Sequence, residues 1–111
     1  MTLLTRAQRS YLRKLANPLK PTVMLGRQGL TEPLLAKVVA ELAAHELIKV
    51  RLLEHKDQRE QLASTLIEET GAALVGIVGN VITLYLPSAD PARRVIVLPR
   101  GDGGAVDSDE E

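Results

Sequence analysis

The sequence contains no cysteine, no phenylalanine and no tryptophan, and Tyr11 and Tyr85 are its only two aromatic residues of that kind. Without cysteine there can be no disulfide and no thiolate-bound metal. Without phenylalanine or tryptophan, the 45% of hydrophobic residues must build a core from Leu, Val, Ile and Ala. The same shortage weighs against an RNA-binding sheet that stacks bases on exposed rings. No apolar run approaches the roughly 18 residues of a membrane span. The N-terminal "MTLLTRAQRSYLRK" has no continuous apolar stretch behind a basic segment, so it does not read as a signal peptide. These absences lead to the expectation of a soluble, cytoplasmic protein with no membrane partner.

Acidic residues are missing from one end and basic residues from the other. Residues 1–30 hold Arg6, Arg9, Arg13, Lys14, Lys20 and Arg27 and no acid, whereas residues 101–111 hold five acids and no base. The formal net charge of zero therefore hides 14 basic residues against 9 acids over residues 1–100, a net of +5. A basic domain of about 100 residues with an acidic, glycine-rich tail at 101–111 is expected, the tail being disordered. Charge separated in this way points to a polyanion as the partner of the domain.

Periodicity gives the order helix, strand, helix, strand, helix, strand, strand. The first helix is expected to start at an N-cap Thr5 and reach Ala16. Leu4, Ala7, Tyr11, Leu12 and Leu15 fall on one face, and Arg6, Arg9 and Arg13 on the other. "NPLKP" breaks that helix. "TVMLG" reads as a short buried strand, followed by a helix capped by Thr31 with Pro33 in its first turn. Leu34, Leu35, Val38, Val39 and Leu42 form its expected buried stripe. In "LIKVRLL", Ile48, Val50 and Leu52 alternate with Lys49 and Arg51, predicting a strand with one basic face. Asp57 and Glu60 suggest a capping box for a third helix, and Gly71 a C′ residue closing it. "AALVGIV" and "VITLYLP" are two strands joined by Gly79-Asn80 as a two-residue hairpin. "RRVIVLP" suggests a fifth, shorter strand. The fold class is α/β: a single layered domain of three helices and a mixed sheet of about four strands, whose order the sequence leaves open.

Between the first strand and the second helix lies Gly26-Arg27-Gln28-Gly29. Glycines admit positive φ and let a partner approach the backbone, and Arg27 adds a planar fork of donors. N–H groups at the start of the next helix would add positive potential. The four residues fit either a plain glycine turn or the GxxG clamp that holds a nucleic-acid backbone in KH domains. Walker and dinucleotide-binding fingerprints are both absent.

Around this loop the stretch from Leu4 to Leu53, with "LKPTVMLGRQGLTE" and "HELIKV" as its most telling segments, resembles the CRM domain family, as do "ETGAALVGIVGNVITLYLP" and "VLPR" further on. Stand-alone bacterial members of that family are associated with ribosome assembly. The resemblance implies a fold similar to the C-terminal domain of translation initiation factor three and RNA binding through the GxxG loop and its basic surroundings. On that basis Gly26, Arg27, Gln28 and Gly29 are candidate RNA contacts, with Arg6, Arg9, Arg13, Lys20, Lys49 and Arg51 as the surrounding basic surface. Ribosomal RNA in pre-ribosomal particles is the implied partner of a monomeric module. A second reading from another class is a protein-interaction adaptor in ribosome assembly whose basic face is incidental.

Nothing in the sequence supports an enzyme, a cofactor or a small-molecule substrate. His45 and His55 are the only histidines, with no third ligand at metal-binding spacing. His45 suits the end of the second helix instead, where a cation is favourable. No serine has a nucleophile context. Arg93-Arg94 fits either the basic surface or a solvated end, and Tyr85 fits either base stacking or half-buried packing.

Overall fold

The computed structural model describes residues 3–99. The expected acidic tail, 101–111, lies outside the described residues. Three helices and four strands follow in the order α1 (Arg6–Ala16), β1 (Val23–Leu25), α2 (Glu32–His45), β2 (Leu47–Leu52), α3 (Arg59–Thr70), β3 (Ala73–Val78) and β4 (Val81–Tyr85). The sheet order is β1-β2-β4-β3. β1 runs parallel to β2, and β4 is antiparallel to both of its neighbours, so the sheet is mixed.

Local chemistry explains most element ends. The Thr5 hydroxyl accepts from Gln8 N–H at 3.1 Å, and the Gln8 side-chain carbonyl accepts from Thr5 N–H at 3.1 Å, a reciprocal box at the start of α1. Thr31 caps α2 by accepting from Leu34 N–H at 3.3 Å. Gly71, at φ +78°, closes α3 in the left-handed region that glycine enters without cost. Two boundaries differ from expectation. Asp57 caps nothing: Lys56–Gln58 form a 3-10 turn, and α3 begins at Arg59 with no side-chain cap. "RRVIVLP" is not a strand: a 3-10 turn (Pro91–Arg93) ends at its first residue, and the rest pairs with no strand of the sheet.

The two faces of the sheet are covered differently. On one face α2 lies over β1 and β2, and α3 over β3 and β4. Val38 and Leu42 of α2, Ala63 and Leu66 of α3, and Ile48, Val50, Leu52, Ile82 and Leu84 of the strands make the main core there. Val39 is half exposed, on the outer side of that stripe. On the opposite face, α1 and the C-terminal chain cover only part of the sheet. Leu12 and Ala16 pack on Leu47, Val75 and Tyr85, with Ile96 and Leu98 against them. Tyr11 stays partly exposed beside this cluster, whereas Tyr85 is 2% exposed and is packing, not a base platform.

Strand alternation has one break, with a consequence for the site. The pairing of β3 with β4 steps from Leu74–Leu84 to Gly76–Thr83, which makes Val75 the extra residue of a bulge. Val75 fills the α1 cluster, while Gly76 sits beside Thr83 on the part of the face that α1 leaves open.

Candidate nucleic-acid interface

β1 ends at Leu25, and the chain turns through Gly26-Arg27-Gln28-Gly29, closed by Gly29 N–H donating to the Gly26 carbonyl at 3.0 Å. Gly29 has φ +73°, so this turn needs a glycine there. Arg27 and Gln28 are exposed at its tip. The loop borders an open hollow of about 510 Å³ shared with Thr31 and Leu34. The start of α2 adds less to this hollow than the sequence suggests. Leu34 N–H is taken by the Thr31 hydroxyl and Leu35 N–H by the Thr31 carbonyl. Pro33 has no N–H, and Glu32 brings a negative charge to the first turn. Donors for an anion therefore come chiefly from the loop itself.

His55 reaches the loop from the far end of β2. Its Nε2 lies 2.8 Å from the Arg27 carbonyl, and its ring would meet a Cβ at Gly29 at 3.8 Å. His55 itself has φ +59°, unusual for a residue with a side chain. At sequence level this histidine stands only as a weak metal or catalytic candidate. Its partner lies 28 residues away, so local pattern carries no signal of the contact.

The open half of the sheet forms the second part of the site. Arg51 pairs with Met24 of β1 and with Val81 of β4, so these side chains stand in one row at the sheet end from which the loop emerges. Lys49 pairs with Thr83 in the next row. α1 supplies Arg13 and Lys14 to the same surface, and together they line a groove of about 520 Å³. Arg13 reaches into it across Gly76, where a Cβ would lie 3.4 Å from Arg13 Nε. Four cations and no carboxylate line this groove. Met24 is 45% exposed and Val78 is 76% exposed, which leaves an apolar floor beside the charges.

The ten candidate residues separate into groups. Gly26 to Gly29 form one loop, and Arg13, Lys49 and Arg51 form the adjoining groove together with Lys14, which the sequence reading left aside. Lys49 Nζ donates to the Leu19 carbonyl at 3.0 Å and to the Asn17 carbonyl at 3.4 Å, capping the C-terminal end of α1. Arg9 is turned toward the sheet, with Nε donating to the Leu74 carbonyl at 3.3 Å, so the arginines of α1 do not form one solvent-facing stripe. Arg6 is exposed and lies outside the groove. Lys20 borders a different, apolar cleft with Leu15, Leu19 and Leu47. Arg94 donates from Nε to the Ser88 carbonyl at 2.8 Å, which ties it to its own loop.

A second residue missed at sequence level is Glu46. It is 2% exposed, has φ +68° and closes α2 where glycine is usual. Its carboxylate accepts from the N–H groups of Ser88, Val95 and Ile96 at 3.0–3.2 Å. It thus clasps the C-terminal chain against the domain. An acid in place of glycine between a helix end and an apolar strand, in "HELIKV", was the available signal. Beside it, burial pushes the Tyr85 hydroxyl above its ordinary value, the Glu46 charge pushes the same way and Arg94 opposes them. His45 ends α2, with Nε2 3.5 Å from Glu41. Among the described residues, no cluster of acids and histidines could hold a metal ion, and no helix is long and apolar enough to cross a membrane.

The fold is a small α/β domain that presents an exposed GxxG loop next to a cationic groove with no acid in its lining. The chain belongs to the CRS1/YhbY (CRM) domain family, whose model matches residues 4–85. It is similar to a Haemophilus influenzae protein named "RNA-binding protein", 40% identical over 101 residues that cover 90% of this chain and 99% of the relative. It is also similar to Bacillus subtilis YqeI, named a probable RNA-binding protein, at 32% identity over 79% of this chain and 93% of the relative. The solution structure of Staphylococcus aureus SAV1595 superposes with a TM-score of 0.75 at 36% identity, covering 87% of this chain and all of that one.

Proposed function

We propose that this protein binds RNA by its backbone, as a module acting on precursor ribosomal RNA during large-subunit assembly in the cytoplasm. The observation that carries the reading is the acid-free groove of Arg13, Lys14, Lys49 and Arg51 beside the GxxG loop, in a chain with no net charge. Family membership and relatives named for RNA binding support it. Phosphates rest against the loop N–H groups and Arg27, and the strand continues toward the groove, where the remaining cations neutralise it. With few aromatic side chains, recognition follows shape and phosphate position rather than base sequence. No bond is made or broken, so the protein acts without catalysis.

Crosslinking the protein to RNA in growing cells and sequencing the attached fragments tests this. Enrichment of precursor large-subunit RNA is expected. Recovery of a ribosomal protein or assembly factor without RNA would overturn the reading in favour of the adaptor role.

A further inference from the structure

The backbone polarity of the GxxG loop is uneven. The Gly26 carbonyl is occupied by Gly29 N–H, and the Arg27 carbonyl lies 2.8 Å from His55 Nε2. A carbonyl can only accept, so Nε2 is the donor in this bond. Among the described residues, no hydrogen bond reaches the N–H of Arg27 or of Gln28. The loop thus has its two leading carbonyls engaged and its two central N–H groups open.

The planarity of the peptide unit links these facts. In a trans peptide the C=O of one residue and the N–H of the next point in opposite directions. The described residues contain no cis peptide. Holding the Arg27 carbonyl on the inner side therefore turns Gln28 N–H to the outer side, toward the hollow. If that carbonyl were free, the peptide could rotate and present a negative oxygen where a phosphate has to approach. Successive outward N–H groups form an anion-binding concavity, and this one depends on a side chain 28 residues away.

The placement of His55 fits such a role. Its left-handed backbone is fixed by Gln58 N–H donating to its carbonyl at 3.0 Å, at the entry to the 3-10 turn. A residue with a side chain held at positive φ is conformationally costly, and such costs collect at functional sites. The ring lies along the loop, 3.8 Å from where a Cβ at Gly29 would stand.

We propose that His55 is the positioning residue of the GxxG loop: it holds the Arg27 carbonyl away so that the loop offers only N–H donors to an RNA phosphodiester. This rests on the RNA-binding reading given above and adds to it a residue outside the loop. Two substitutions separate donor from packing. His55→Phe keeps a flat ring and loses the donor, whereas His55→Gln loses the ring and keeps an N–H of similar reach. With a fluorescent RNA hairpin as probe, His55→Phe is expected to weaken binding about fivefold, the worth of one hydrogen bond, and His55→Gln to stay within about twofold. Titrating the unaltered, isotope-labelled protein with inorganic phosphate is expected to move the Arg27 and Gln28 amide resonances.

Equal affinity of His55→Phe and the unaltered protein, or equal loss in both variants, would overturn the positioning role. So would phosphate that leaves the Arg27 and Gln28 amides unmoved. The double variant Arg27→Glu/Gly29→Asp separates the two levels. If it abolishes binding while His55→Phe does not, the loop reading stands and His55 falls; if neither weakens binding, both fall.

Discussion

Replacing Arg13 and Arg51 with glutamine removes two of the five cations that face the proposed RNA path, the others being Lys14, Lys49 and Arg27. Each phosphate neutralised releases counterions, so log K falls with log salt at about 0.7 to 0.9 per contact. Five contacts give a slope of about −3.5 to −4.5, and three give about −2.1 to −2.7. Between 50 and 200 mM salt the unaltered protein should lose affinity by about two to three orders of magnitude, and the double variant by only about twenty- to fortyfold. Lys49 stays in the count because its two bonds to carbonyls leave its charge intact. Both arginines are exposed, so the fold should tolerate the change within about 0.5 kcal/mol. Filter binding of a structured ribosomal RNA fragment across a salt series gives both slopes, and circular dichroism checks the fold. An unchanged slope would refute the groove as part of the RNA path.

Further outcomes at three positions concern stability. Gly29→Ala should cost about 1–2 kcal/mol in urea unfolding, because of its φ of +73° and not through collision, since the nearest His55 atoms lie 3.8 Å from the new Cβ. Glu46→Ala should cost about 2–4 kcal/mol, as three N–H groups of the C-terminal chain lose a charged acceptor. Glu46→Gly should be about 1 kcal/mol less harmful than Glu46→Ala, because the position has φ +68°; equal losses would remove backbone strain from the explanation. For Tyr85, the folded protein holds the hydroxyl protonated beyond its ordinary value of 10.0. That contribution is complete below the unfolded value and disappears as pH rises through the higher folded one. Thermal melts should therefore fall more steeply above pH 10 for the unaltered protein than for Tyr85→Phe.

Much of the frame was legible because it is written in local periodicity and capping chemistry. Thr5, Thr31 and Gly71 mark helix ends through contacts with residues three or four positions away. The alternation in "LIKVRLL" fixes which strand residues meet the core and which carry charge. The parts that were not legible depend on distant partners. Asp57 looked like a cap, but His55 in the left-handed region starts a 3-10 turn before α3. Tyr85 fits either stacking or packing on sequence alone, because nothing local reveals that α1 and the C-terminal chain cover its row of the sheet. Glu46 and His55 are bonded to residues 28 to 50 positions away, so local pattern gives neither role. The grouping of Arg13 with Lys49 and Arg51 depends on the bulge at Val75 and on Arg13 lying across Gly76, neither visible before the strands were in register.

The GxxG loop is the centre of the proposed RNA contact, and the double variant Arg27→Glu/Gly29→Asp tests it most directly. It places two negative charges where phosphates should rest. The measurement is the dissociation constant for structured ribosomal RNA at low salt, with the folded state verified by circular dichroism. Affinity is expected to drop by at least about a hundredfold, since each introduced charge opposes a phosphate that a donor or cation had faced. A folded variant that binds this RNA as tightly as the unaltered protein would contradict RNA-backbone recognition by the loop.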